Sequence, residues 1–248
     1  MIAIKNSREL SLMREACRIS AEALALGGSM VEPGVTTGEI DRAIRRFIEK
    51  QGAKPSFLGY GGFPASACIS VNNTVIHGIP GNTVIREGDI VSVDVGACIN
   101  GYHGDNAATF GAGTVSPEAQ ALMDATRESL YEGIRAAQAG NRVGDIGAAV
   151  QRYVEERGYS VVRQFVGHGV GTALHEDPSV PNFGTPGRGQ RLLPGMTLAI
   201  EPMINAGTFE VEILKDGWTT VTKDGKLSAH FEHTIAITTD GPVILTAR

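Results

Sequence analysis

The sequence predicts an α+β fold built from two similar halves, each a helical segment followed by antiparallel strands, with a metal site between them. Three observations carry that reading. The first is the stretch IVSVDVGACINGYHGDNAATF, residues 90–110, in which two apolar runs flank Asn100-Gly101. This dipeptide signals a two-residue hairpin, because both central positions of a type I′ turn need positive φ. With Asn100 and Gly101 at the tip, Gly96 faces Asp105 and Asp94 faces Ala107. Asp94 and Asp105 then share one face as diagonal neighbours, their Cβ atoms roughly 7 Å apart. Two carboxylates that close in an apolar hairpin need a shared proton or a cation between them. The plainer alternative is that one Asp serves the turn.

The second observation is internal repetition. GVTTGEIDRAIRRFIEKQG (34–52) lies on GNRVGDIGAAVQRYVEERG (140–158) at a shift of 106, with Gly34, Gly38, Ile40, Ala43, Arg46, Glu49 and Gly52 meeting identical residues. At a shift of 107, EGDIVSVDVG (87–96) lies on PGMTLAIEPM (194–203), and Asp94 meets Glu201. Amphipathic helices resemble one another by chance, but two matches in the same order favour duplication about a pseudo-two-fold axis. A site on that axis draws carboxylates from both halves. The third observation is that the second half has them: Glu201 in TLAIEPMI and Glu232 in HFEHTIAI.

The elements follow in order. Leu10, Met13, Cys17 and Leu24 have helical spacing over about residues 7–26, and Gly27-Gly28 reads as the stop. The capping box Thr36-x-x-Glu39 opens a second helix carrying Ile40, Ala43, Ile44, Phe47 and Ile48, with Gly52 after it. Residues 63–78 read as strands around a Val71-Asn72-Asn73 turn, and the hairpin comes next. Ser116-Pro117 places an N-cap before a Pro at the first helical position, for a helix through Leu122, Met123, Leu130 and Ile134 to Gly140. Another helix is predicted from about Asp145 to Arg157, closed by Gly158, and strands with glycine-rich loops complete the chain. The expected organisation is one domain over residues 1–248, with halves at about 7–111 and 112–248.

Composition narrows the function classes. Of 248 residues, 42% are apolar and 20% charged, ordinary for a globular protein. A net charge of −5 argues against nucleic acid or an anionic membrane as the main partner. Cys17, Cys68 and Cys98 are too few for a disulfide framework and lack CxxC spacing, which suits a reducing cytoplasm. The start MIAIKNSREL has no apolar signal-peptide core, and no run of 18 apolar residues occurs.

The candidate ligands are Asp94, Asp105, Glu201 and Glu232 with a histidine from FVGHGVGTALHEDP, His168 or His175. Gly167, Gly169 and Gly171 let backbone approach closely there. Four carboxylates and one imidazole balance about two divalent ions, which bridging carboxylates hold ~3.5–4 Å apart. Oxygen-rich ligation with one nitrogen suits Mn(II), Fe(II), Co(II) or Zn(II). Alone, a strand Glu more often faces solvent, and a His in a glycine loop is more often a turn residue. Glu201, however, sits among Leu198, Ala199, Ile200, Met203 and Ile204, where an unpaired charge is costly.

From about residue 3 to 246 the chain resembles a type I methionine aminopeptidase of the pita-bread metallopeptidase fold. The likeness rests on SVNNTVIHGIP, VSVDVGACINGYHGDNAATF, VGHGVGTALHEDP, TLAIEPMI and HFEHT. It implies two divalent metals on Asp94, Asp105, His168, Glu201 and Glu232. It implies removal of the N-terminal methionine by a metal-held hydroxide attacking the first peptide carbonyl. Glu201 moves the proton, His175 contacts the oxyanion or scissile amide, and His77 contacts the peptide beyond the cut. Pro80 and Pro178 each follow such a His by three residues, an echo of the duplication. The family's methionine pocket maps onto Tyr60, Phe63, Cys68 and Trp218, and a small second residue is preferred. Leu174 stands where many members carry an aromatic, Phe57 where Cys is frequent, and His230 where Gln is usual. The implied partners are nascent polypeptide N-termini at the ribosome, met by a cytoplasmic monomer through the surface of this one domain.

Rivals are separable. An X-Pro aminopeptidase or prolidase shares fold and metal set, but such chains usually carry a large N-terminal domain. A type II methionine aminopeptidase has an insertion between its last two metal glutamates, and only 31 positions separate Glu201 from Glu232. A pita-bread module that only binds partners loses ligands, and this chain keeps all five. A cysteine hydrolase using Cys68 lacks any neighbour that marks the thiol as activated.

Overall fold

A computed structural model of the chain describes residues 2–248. Four helices, α1 (Ser7–Ser29), α2 (Thr37–Lys50), α3 (Pro117–Ala136) and α4 (Val143–Glu155), accompany a set of mostly short strands. The strands are β1 (Lys54–Pro55), β2 (Ala67–Val71), β3 (Thr74–Ile76), β4 (Ile90–Ile99), β5 (Tyr102–Gly111), β6 (Ser160–Val161), β7 (Gly167–Gly169) and β8 (Glu176–Val180). After them come β9 (Thr197–Ile200), β10 (Met203–Asn205), β11 (Val211–Ile213), β12 (Thr220–Thr222), β13 (Ser228–His230), β14 (Glu232–Thr238) and β15 (Gly241–Ile244).

The main sheet runs β1-β4-β5-β14-β9-β7-β8, with β2 also on β4 and β15 also on β14. The β4–β5 hairpin has the register read from its turn: Asp94 opposite Ala107 and Gly96 opposite Asp105. Asn100 and Gly101 carry φ of 54° and 79°, as the turn requires. Alternation along β4 puts Val91, Val93, Val95 and Ala97 on one face, fully buried beneath α1 and α2 with Ile19, Ile40, Ile44 and Ile48. A second core joins Leu122, Leu130, Ile146 and Val150 of α3 and α4 to Leu198, Ile200 and Ile235 of the sheet. Burying each such aliphatic side chain contributes about 1.5–3 kcal/mol. With the helices on one face of β4 and β5, the opposite face is left for Asp94 and Asp105.

The duplication is visible in backbone hydrogen bonds. Gly34, Thr37 and Gly38 N–H donate to the carbonyls of Ile85, Thr83 and Gly81. Gly140, Val143 and Gly144 N–H donate to those of Leu192, Gln190 and Arg188, which are the shifted equivalents. Gly34 and Gly140 have φ of 95° and 94°, and Gly52 and Gly158 have 75° and 81°.

Several element limits differ from expectation. α1 does not stop at Gly27-Gly28 but continues to Ser29. Those glycines serve packing: a Cβ on Gly28 would overlap the Phe110 ring, and one on Gly27 would lie 2.8 Å from Ile44 Cδ1. α3 ends at Ala136, before Gly140, whose N–H is committed to Leu192. α4 starts before Asp145, because that carboxylate is the capping group and accepts from Arg142 N–H at 2.7 Å. Around the Asn72 turn (φ 55°), β2 pairs with β4 whereas β3 pairs with β12, so the two strands enter different sheets.

Candidate metal centre

The sheet order places five side chains on neighbouring strands. Asp94 is on β4, Asp105 on β5, Glu232 opens β14, Glu201 lies one residue past β9, and His168 is the middle of β7. Ala107 faces Asp94 on one side and Glu232 on the other. Its single methyl leaves room between the two carboxylates. Thr234 anchors Asp105 by accepting from its N–H at 3.1 Å and donating to its carbonyl at 2.7 Å. Asn182 Nδ2 donates to the Glu201 carbonyl at 3.0 Å.

Ligand atoms of Asp105, His168 and Glu232 all lie within 4.8 Å of one another. His168 Nε2 is 3.5 Å from Glu201 Oε1 and 3.9 Å from Asp105 Oδ2. Asp94 lines the same cavity. The donor set fits a cation on three counts. Buried oxygens Asp94 Oδ1, Asp105 Oδ1 and Glu232 Oε1 have no hydrogen-bond partner. Burial, followed by mutual repulsion for Asp94, Glu201 and Glu232, pushes those three carboxyls well above the usual range, and burial takes Asp105 to about 7. Finally, His168 Nδ1 faces the Gly169 carbonyl at 2.8 Å, which only an N–H can satisfy. Nε2 therefore turns a bare lone pair toward Glu201 and Asp105, an arrangement that a cation between them makes favourable. Burial also holds His168 neutral, with its pKa pulled down to about 3.

Two further histidines flank these groups. The His175 ring lies 4.2 Å from that of His168, and its Nδ1 is 2.7 Å from the Tyr60 hydroxyl. His77 is one of three non-glycine residues with positive φ, at 55°, among the described residues. Such a conformation costs on the order of 1–3 kcal/mol and persists where surroundings impose it. Its ring packs edge-on to Phe165 at 5.6 Å and to Trp218 at 6.2 Å. Burial first, then His175, draws the His77 pKa down to about 4.

The five candidate ligands, His77 and His175 line one cavity of about 210 Å³, whose wall also includes Tyr60, Phe63, Cys68 and Trp218. Phe63 meets Trp218 edge-on at 5.2 Å. Phe57 and Leu174 complete the apolar wall, and Gly96 admits Phe57, because a Cβ there would sit 2.8 Å from its ring. His230 does not line the cavity. Sequence reasoning missed two groups. Phe165 had only the signal of an apolar residue before the glycine run. The part-buried Lys5–Glu176 pair (2.5 Å) had none, since 171 residues separate its members.

The sequence profile of metallopeptidase family M24 matches residues 11–239, and the chain belongs to that family, whose members use divalent metal. Within it the chain is similar to methionine aminopeptidases. The chain is 57% identical to the methionine aminopeptidase of Clostridium perfringens over 99% of both chains, and 54% identical to methionine aminopeptidase 1 of Bacillus subtilis over 99% of both. It superposes on the crystal structure of methionine aminopeptidase from Rickettsia prowazekii with TM-score 0.98 at 41% identity, covering 100% of each chain. The prolidase from Pyrococcus furiosus reaches TM-score 0.80 at 23% identity over 99% of this chain and 65% of that one, a likeness of fold alone. Among the described residues no helix is long and apolar enough to cross a membrane.

Proposed function

We propose that this chain removes the N-terminal methionine from peptides and nascent proteins with a small second residue, using two divalent cations. One observation carries the reading. The five candidate ligands, both outer histidines and an aromatic-sulfur wall line the same cavity. An unbranched thioether side chain suits Phe63, Cys68 and Trp218 beside it, with Tyr60 at the mouth. Asp94, Asp105, His168, Glu201 and Glu232 would hold the cations, which supply Lewis acidity and a nucleophilic water near neutral pH when bound.

The chain's own groups do the rest. Glu201 lies at the edge of the ligand group, where its carboxylate takes the proton of the attacking water and returns it to the leaving amine. His175, braced by Tyr60, donates to the developing oxyanion or the scissile amide. His77, wedged against Trp218 and Phe165, contacts the peptide beyond the cut. The protein acts as a cytoplasmic monomer of one catalytic domain on nascent chains at the ribosome.

The test is apo-protein reloaded with Mn(II) or Co(II) and offered Met-Ala-Ser beside X-Pro peptides. Release of methionine is expected. Cleavage of X-Pro alone selects a prolidase-like activity, and no cleavage of either selects a binding module. Glu201→Gln and His175→Ala should each lower turnover by roughly 10²–10⁴-fold with metal still bound. Near-normal rates would remove these roles.

A further inference from the structure

We propose that His230 is the positioning residue of the centre: its Nε2–H hydrogen-bonds one oxygen of Glu201 and so sets where the other oxygen points. The inference rests on the reading of Glu201 as ligand and proton carrier. His230 ends β13, is 2% exposed, and stands behind Glu201 rather than in the cavity wall. Its Nε2 is buried without a hydrogen-bond partner and lies 3.7 Å from Glu201 Oε2. Buried ring nitrogens are rarely left unpaired, so this one asks for an explanation.

The ring is aimed from its backbone. The His230 N–H donates to Thr109 Oγ1 at 2.9 Å, and its carbonyl is 2.9 Å from the same hydroxyl. Thr109 also meets Ser92 Oγ at 2.8 Å, and His230 pairs with Met203 on β10. This brace ties the β13 strand to the β4–β5 hairpin that carries Asp94 and Asp105. On the other side of Glu201, His168 has its one proton committed to Gly169 and presents only a lone pair. The carboxylate therefore lies between an imidazole that cannot donate and one that can. A closure of about 0.5 Å turns the contact with His230 into an ordinary hydrogen bond. His230 faces Glu201 and does not line the cavity that all five candidate ligands share, so it acts on Glu201 rather than on the cation.

His230→Gln keeps an N–H donor at this place, and His230→Leu removes it. The readouts are Mn(II) affinity by calorimetry, kcat and KM on Met-Ala-Ser, and the unfolding midpoint of each apo-protein. His230→Leu should lose about 10–100-fold in Mn(II) affinity. Its kcat should fall by a similar factor while KM moves far less. His230→Gln should regain most of both. Unaltered Mn(II) affinity and kcat in His230→Leu, or equal losses in both variants, would overturn the assignment. If His230→Leu does not fold, ¹⁵N spectra of the wild-type imidazoles with Zn(II) bound decide. A proton on Nε2 of His230 supports it, and a bare Nε2 overturns it. Wild-type protein that binds Mn(II) but leaves Met-Ala-Ser intact overturns the peptidase reading, and an Mn(II) affinity lost in His230→Leu and regained in His230→Gln still upholds the positioning role.

Discussion

Raising the pH of the metal-free protein should loosen it, and a bound divalent cation should abolish the effect. In the folded chain burial lifts Asp105 to about 7 and Asp94, Glu201 and Glu232 well above the usual range. In the unfolded chain all four ionise near pH ~4. Above that point the native state holds more protons than the unfolded one, so its stability falls as pH rises. Between about pH 4 and 7.5 the histidines oppose this. Burial draws His168 and His230 down to about 3 and His77 and His233 to about 4, so in that window the native state binds fewer protons there. At pH 6.5 about half of the unfolded-state histidines are still protonated, so their opposing contribution is complete only by about pH 7.5, above which the carboxyls act alone. One carboxyl still protonated contributes a slope of about −1.4 kcal/mol per pH unit, which is the loss expected between about pH 7.5 and 8.5. A cation that displaces those protons removes the slope. Urea unfolding of chelator-stripped and Mn(II)-saturated protein at about pH 7.5, 8.0 and 8.5 measures it. Equal stability of the stripped protein at the two ends would refute the reasoning.

Three other outcomes are expected. Tyr60→Phe removes the 2.7 Å bond to His175, and peptide assays should show turnover about 3–10-fold lower, the equivalent of one hydrogen bond, with metal binding retained. Lys5→Met breaks a pair whose side chains are 4% and 12% exposed, which should cost about 3–5 kcal/mol in urea unfolding, with much of it restored by adding Glu176→Gln. A loss under about 1 kcal/mol would show that the pair is solvated like a surface one. Gly104→Ala places a Cβ 2.5 Å from Cys17 Cα in α1, so thermal unfolding should show destabilisation of about 1–3 kcal/mol or more.

The legible parts of this molecule are those written in short stretches of chain. Asn100-Gly101 determines its own turn, and the turn determines the register, so the sequence alone puts Asp94 and Asp105 on one face. The Thr36 and Ser116 caps likewise mark helix starts through hydrogen bonds spanning three residues. Stops were harder to read. Gly27 and Gly28 look like an end, yet their meaning lies in Ile44 and Phe110, which are distant in the chain.

The centre divides the same way. Its residue types and repeat spacing stand in the sequence, and a duplicated pattern shows that both halves contribute. Tertiary structure alone decided that β14 lies between β5 and β9, which sets Glu232 across from Ala107 and brings Glu201 beside His168. It also decided the strained backbone of His77, the burial of Lys5 against Glu176 and the orphaned nitrogen of His230 behind Glu201. Turns and caps follow from bonds between residues a few positions apart. Which strands become neighbours, and so which buried atoms lack a partner, depends on packing the whole chain at once.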